Sequence, residues 1–158
     1  MGRSRTPSTS SSTPTEPDSV NVRSGRVRMH LWPEAYTVAR LRSVPTPVPG
    51  AGADGSPVSL TVGHGEVSLV APEGVVAALA DEVETSTPGW RLLTLDVKLP
   101  FDVVGLLAAV ATALAQVRVP VIVVSSHDTD HFLVPEAKLG VALAAISQVP
   151  LEGLLPPS

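Results

Sequence analysis

The chain has 158 residues, a net charge of −4 and 44% hydrophobic residues, yet only two Trp, two Phe and one Tyr. Its core must therefore be built from Val, Leu and Ala. With no Cys, a disulfide scaffold, a thiolate metal site and a Cys nucleophile are all excluded, and the composition fits a reducing, cytoplasmic compartment. Basic charge gathers near the N-terminus, with Arg3, Arg5, Arg23 and Arg26 against Glu16 and Asp18, so the body is acidic and poorly suited to nucleic acid.

Residues 1–26 are dominated by Ser, Thr and Pro and lack the apolar surface needed to offset ordering entropy, so a disordered tail is expected. Met1-Gly2-Arg3-Ser4-Arg5-Thr6 fits a loose myristoylation pattern, and the Arg/Ser-rich start resembles a transit peptide. Neither reading is adopted, because no apolar helical face accompanies them. Strands are expected at Ala35 to Arg42, Val58 to Val62 and Glu66 to Ala71, with a Pro/Gly-rich loop over 43–57 and a tight hairpin at Gly63-His64-Gly65. Pro72-Glu73 reads as a helix start, with the helix running to about Val83 and releasing at Pro88-Gly89.

The second half predicts a strand over Trp90 to Leu99, stopped by Pro100. A helix from Val103 to about Val117 follows, with Asp102 as N-cap and Gly105 in its first turn. That helix is apolar nearly all round, as expected of one covered on two sides. Its apolar run, Val103 to Ala115, is shorter than the ~20 residues a bilayer requires, so no membrane span is expected. Val119 to Ser125 reads as a buried strand, Ser126 to Asp130 as a polar turn and His131 to Val134 as a short strand. Pro135-Glu136 opens a helix to about Ile146, and the end of the chain is expected to fray. The order strand–helix–strand–strand–helix predicts an α+β fold with antiparallel sheets covered by helices on one face. Each half reads as a ferredoxin-like unit short of a strand, repaired if each borrows one from the other.

Three stretches could carry chemistry. Gly50-Ala51-Gly52-Ala53-Asp54-Gly55 matches GxGxxG by letter, but prolines precede it and a strand follows, so no helix N-terminus is offered to a pyrophosphate. His127-Asp128-Thr129-Asp130-His131 is the densest polar cluster: a turn with Asp side chains on backbone amides, a ligand-facing surface, or a divalent-metal site on His127, Asp128, Asp130 and His131. Alternation along a strand argues against all four converging. Pro100 to Leu107 could present helix N-terminal amides to a carboxylate, or could simply pack. Ser125 and Ser126 beside His127 do not make a nucleophile and base, because neighbours on a strand cannot easily form the required hydrogen bond. No catalytic constellation is found, so a non-enzymatic role is expected.

These residues resemble the ACT domain, an amino-acid-sensing regulatory module. Asp102-Val103-Val104-Gly105-Leu106-Leu107-Ala108 and Ala113-Leu114-Ala115 are similar to its first-helix signature. Gly89-Trp90-Arg91, Phe101 to Leu107 and Ser125 to Val134 resemble a bacterial tandem-ACT family, related to the ACT regions of aspartate kinase and of the animal cytosolic arginine sensor. Tyr36-Thr37-Val38-Ala39-Arg40-Leu41 and Glu66 to Glu73 are similar to its N-terminal motifs, so the resemblance covers roughly residues 35–146. It implies a tail at 1–26, a degenerate ACT-like unit at 27–89, an ACT domain at 90–148 and a flexible end at 149–158, assembled as a homodimer. It further implies a free amino acid bound between units, without metal or cofactor. Backbone amides of Phe101, Asp102, Val103, Val104, Gly105 and Leu106 would hold its carboxylate. Ser126, Asp128 and Asp130 would meet its ammonium group, with His127 and Thr129 completing the site. The sequence departs from the pattern at His127 and His131, where Tyr is more usual, and at Val103-Val104, where polar residues often flank the Gly. A structural or adaptor module without ligand is the alternative, and a metal-dependent enzyme a distant one.

Overall fold

A computed structural model describes residues 26–99 and 101–150. The expected N-terminal tail, Pro100 as strand terminator and most of the expected C-terminal fraying lie outside them. Six strands, β1 (Met29–Leu41), β2 (Ser59–Gly63), β3 (Glu66–Pro72), β4 (Val83–Leu95), β5 (Ile122–Ser125) and β6 (Asp130–Pro135), form a single antiparallel sheet in the order β2-β3-β1-β4-β6-β5. The helices are α1 (Glu73–Ala77), α2 (Leu106–Gln116) and α3 (Leu139–Ile146). The strands thus join in one sheet rather than two, with β1 and β4 at its centre.

β1 and β4 are each 13 residues long and pair along nearly their whole length, from Met29↔Leu95 to Leu41↔Val83. Both are longer than expected, because pairing overrides their prolines. Pro33 falls in a register break between Leu31 and Ala35, where Arg91 Nη2 bonds the carbonyls of Trp32 (3.0 Å) and Pro33 (3.3 Å). Pro88-Gly89 falls in a second break, between Val38↔Thr87 and Tyr36↔Trp90, with Gly89 at φ +85°. A bulge absorbs the missing proline donor and keeps the strand going. The helix expected to reach Val83 therefore ends at Ala77, followed by a 3-10 turn over Ala80–Glu82, since Val83 already belongs to the sheet.

The hairpin between β2 and β3 turns on His64 (φ +50°) and Gly65 (φ +74°), two positive angles in succession as a primed turn requires. β5 starts three residues later than expected and is a half-buried edge strand, not an interior one. Val119 instead plugs the core, and its N–H bonds Leu114 O at 3.0 Å. Loop 43–57 contains no helix. Within the GxGxxG letters, Gly52 N bonds Ser56 O and Gly55 N bonds Gly52 O, each at 2.9 Å, so these amides close a turn rather than cradle a phosphate.

Alternation places the core. Leu93, Leu95, Phe132 and Val134 face α2 and α3, meeting Val110 and Leu114, while Ala39, Leu41, Leu69 and Ala71 lie beneath α1. The intervening Tyr36, Leu92 and Leu133 form a cluster on the other face. At the chain's end, Val149 is buried, Val27 N bonds its carbonyl at 2.9 Å, and Arg26 bridges Pro150. The C-terminal segment is thus fixed to the sheet at least to Pro150, later than the expected onset of fraying.

Candidate functional site

α2 begins where Gly105 turns the chain. At φ +91° this residue sits in the left-handed region, which costs a side-chain-bearing residue about 1–2 kcal/mol. It is the N-cap itself, not a first-turn residue, and Asp102 does not cap the helix as expected. No side chain caps α2 among the described residues. The loop's path explains why: Leu99 N is tied to Asp128 O at 2.8 Å, so the chain climbs along the 125–130 turn before entering the helix. The first intrahelical bond runs from Ala109 N to Gly105 O at 2.8 Å, which leaves the Leu106, Leu107 and Ala108 amides without partners inside the helix.

The facing turn is braced by its own polar groups. Ser126 N and Oγ both bond Thr129 O, at 2.9 and 3.0 Å, and Thr129 Oγ1 reaches across to Leu95 O at 3.0 Å. Ser125 Oγ donates to Asp130 Oδ1 at 2.6 Å across the mouth of the β5–β6 hairpin. His127 Nδ1 lies 2.9 Å from Asp128 Oδ1, and its ring meets Phe101 edge-on with centroids 5.2 Å apart. The His127 hydrogen bond, aided by Lys98, holds the Asp128 carboxyl below its ordinary pKa, so it is ionised at neutral pH.

Between the loop, the start of α2 and this turn lies a cavity of about 270 Å³. Phe101, Val103, Gly105 and Leu106 line one side, with Ser126, His127, Asp128, Thr129 and Asp130 on the other. Asp102 and Val104 do not line it. Val104 is 81% exposed and Phe101 85%, so apolar surface stands at the rim. Leu99 and Ser125, which the expected site did not include, also line the cavity, as does Leu107 at the end of the expected helix-start stretch. Ser125 stood at the end of an expected strand beside the polar turn, and Leu99 carried no signal.

His131 is separated from the other three residues of the metal reading. It is buried on the far face of the sheet, with Nδ1 2.8 Å from Thr94 Oγ1, while Asp130 faces the loop cavity. One residue of offset in a strand reverses the face, so the four groups do not converge. Among the described residues no group of three or more His, Asp or Glu is placed to hold a metal ion.

Residues 85–148 match the family model described as ACT domain. Over these residues the fold is that of an ACT domain. The match starts inside β4 and takes in α2, β5, β6 and α3, and with them the loop and turn that line the cavity. The chain is similar to a crystal structure of an Agobacterium tumefaciens protein at 26% identity and TM-score 0.64, covering 77% of this chain and 87% of that one. It is also similar to a Vibrio cholerae protein described as of unknown function and a possible transport protein. There the identity is 25% and the TM-score 0.57, over 76% and 87% of the two chains. Aspartate kinase from Clostridium acetobutylicum shares the fold at 12% identity and TM-score 0.53, over 84% of this chain and 35% of the kinase. No curated protein matches the chain. The likeness to the aspartate kinase is one of fold. Among the described residues no helix is long and apolar enough to cross a membrane.

Proposed function

We propose that this is a cytoplasmic, non-catalytic regulatory protein that binds a free amino acid in the cavity at the start of α2. The observation carrying this reading is the cavity's opposed chemistry. Unpartnered amides at the positive end of α2 suit a carboxylate, and Asp128 and Asp130 on the facing turn suit an ammonium group. Only a zwitterion satisfies both walls at once.

The chain is further read as two interlocked ACT-like units, the first degenerate, approximately residues 27–89 and 90–148. The strand order supports this. Met29–Leu31 of β1 lie beside Leu93–Leu95 of β4 and complete the sheet of β4, β6 and β5. Val83 to Trp90 of β4 lie beside Tyr36 to Leu41 and complete the sheet of β1, β3 and β2. Loop 43–57 stands where the first unit's first helix would be. A second copy of the chain, packed on the apolar rim of Phe101 and Val104, would close the cavity and make the protein a homodimer.

A thermal-shift panel of the twenty amino acids tests the reading. At a hundred times its dissociation constant a ligand adds ~2.7 kcal/mol, a shift of several degrees. Asp128→Ala is expected to abolish that shift while leaving the melting temperature of the free protein unchanged, because the side chain stands in solvent. No shift with any amino acid would leave the structural or adaptor reading, which the exposed Phe101 and Val104 favour. An Asp128→Ala chain that fails to fold would make Asp128 a turn residue.

A further inference from the structure

The face of the sheet opposite the helices holds a second cavity, of about 300 Å³. Tyr36, Val70 and Leu92 form its floor, and its walls come from the two edge strands, with Ser59 of β2 on one side and Val124 of β5 on the other. In a flat sheet these edges would stand five strand spacings apart, about 24 Å. A cavity this small touches both only because the sheet curls around this face. That curl buries Tyr36, Leu92 and Leu133 without a helix packed on them.

Among the described residues no Asp, Glu, Lys or Arg lines this seam. Its polar groups are neutral. Trp32 Nε1, which can only donate, bonds Thr94 Oγ1 at 2.7 Å, and Thr94 Oγ1 lies 2.8 Å from His131 Nδ1. Thr94 Oγ1, which accepts from Trp32, has its own proton to donate to Nδ1. In that tautomer the imidazole proton sits on Nε2, which has no partner among the described residues. Burial draws the His131 pKa down against the pull of Asp130, keeping the ring neutral. Tyr36 Oη already donates to Pro57 O at 3.0 Å and Ser126 Oγ to Thr129 O at 3.0 Å, so toward the cavity both oxygens accept.

We propose that the seam is a second binding site, for a small uncharged molecule with a branched apolar body and an amide head. The head's carbonyl accepts from His131 Nε2, and its N–H donates to Tyr36 Oη or Ser126 Oγ. The volume suits a ligand of few heavy atoms. A charged group is refused, because burying it with no opposite charge costs far more than one hydrogen bond returns. This separates the seam from the loop cavity, which is built for opposed charges, although Ser125 and Ser126 line both.

The test is an amide-resolved NMR titration of the full chain with isovaleramide, isovalerate and leucine. Isovaleramide is expected to give saturable shifts along β2 and β5, in the roughly millimolar range for so small a ligand, with isovalerate at least tenfold weaker. His131→Phe is expected to remove the isovaleramide response while any amino-acid response at the loop cavity survives. If that variant fails to fold, Ser59→Phe fills the seam from a half-buried edge position and is expected to do the same. The proposal is overturned by equal affinity for amide and acid, by the absence of saturable shifts, or by a response that survives in the folded variant. A chain that answers isovaleramide but no amino acid supports the seam and removes the loop-site reading alone.

Discussion

Gly105 carries the turn on which the loop cavity depends. Replacing it with Ala places a β-carbon in a backbone conformation that L-residues avoid. Gly105→Ala is expected to lower stability by about 1–2 kcal/mol in a urea titration and to weaken amino-acid binding as the first turn of α2 shifts. Tyr36 offers a cleaner readout, being the single tyrosine. Burial pushes its pKa up to about 12, opposed by Ser56 and assisted by Asp54. The unfolded chain gives up this proton near its ordinary value of about 10, before the folded chain does. The contribution to stability is therefore intact below pH 10 and lost as pH rises through 12. Ultraviolet titration of the tyrosinate band is expected to show a midpoint near 12, and a midpoint near 10 would mean that Tyr36 is not held under the curl of the sheet.

At the scale of elements, the central pair shows what sequence signals miss. The alternation of Tyr36, Val38 and their neighbours marks a strand, and the hydrophobic run after Gly105 marks a helix. Pro88-Gly89 reads as the release of a helix, yet it and Pro33 both lie inside 13-residue strands because the register breaks around them. Arg91, with 17% of its side chain exposed, makes the first break tolerable by bonding the half-buried carbonyl of Trp32 and the exposed one of Pro33. Arg91→Met keeps the apolar stem and removes the donors, so a loss of about 1–3 kcal/mol is expected by chemical denaturation. A loss within experimental error would mean that solvent satisfies those carbonyls. The same limit governs the candidate site. The polarity of 125–130 and the glycine before α2 are visible in the letters, but the placement of Asp102 outside the cavity and of Leu99 and Ser125 within it depends on the bond between Leu99 and Asp128.

For the whole molecule, the exchange of strand ends between β1 and β4 predicts strong interdependence. Residues 27–89 lack a partner for Met29–Leu31, and residues 90–148 lose the start of β4 together with all of β1. Each half expressed alone is expected to give the poorly dispersed amide spectrum of an unfolded chain, with dispersion returning on mixing if the halves can associate. A well-dispersed spectrum from 90–148 alone would show that the ACT domain needs no borrowed strand. The sequence by itself determined the composition of the core, the strand and helix types and the resemblance to ACT modules, because these follow from local periodicity and short motifs. Only the tertiary structure decided that the strands join in one curled sheet, that Gly105 rather than Asp102 opens α2, and that His131 leaves its polar neighbours for the opposite face. Each of those outcomes turns on register, and a register is a property of two paired strands that neither one carries alone.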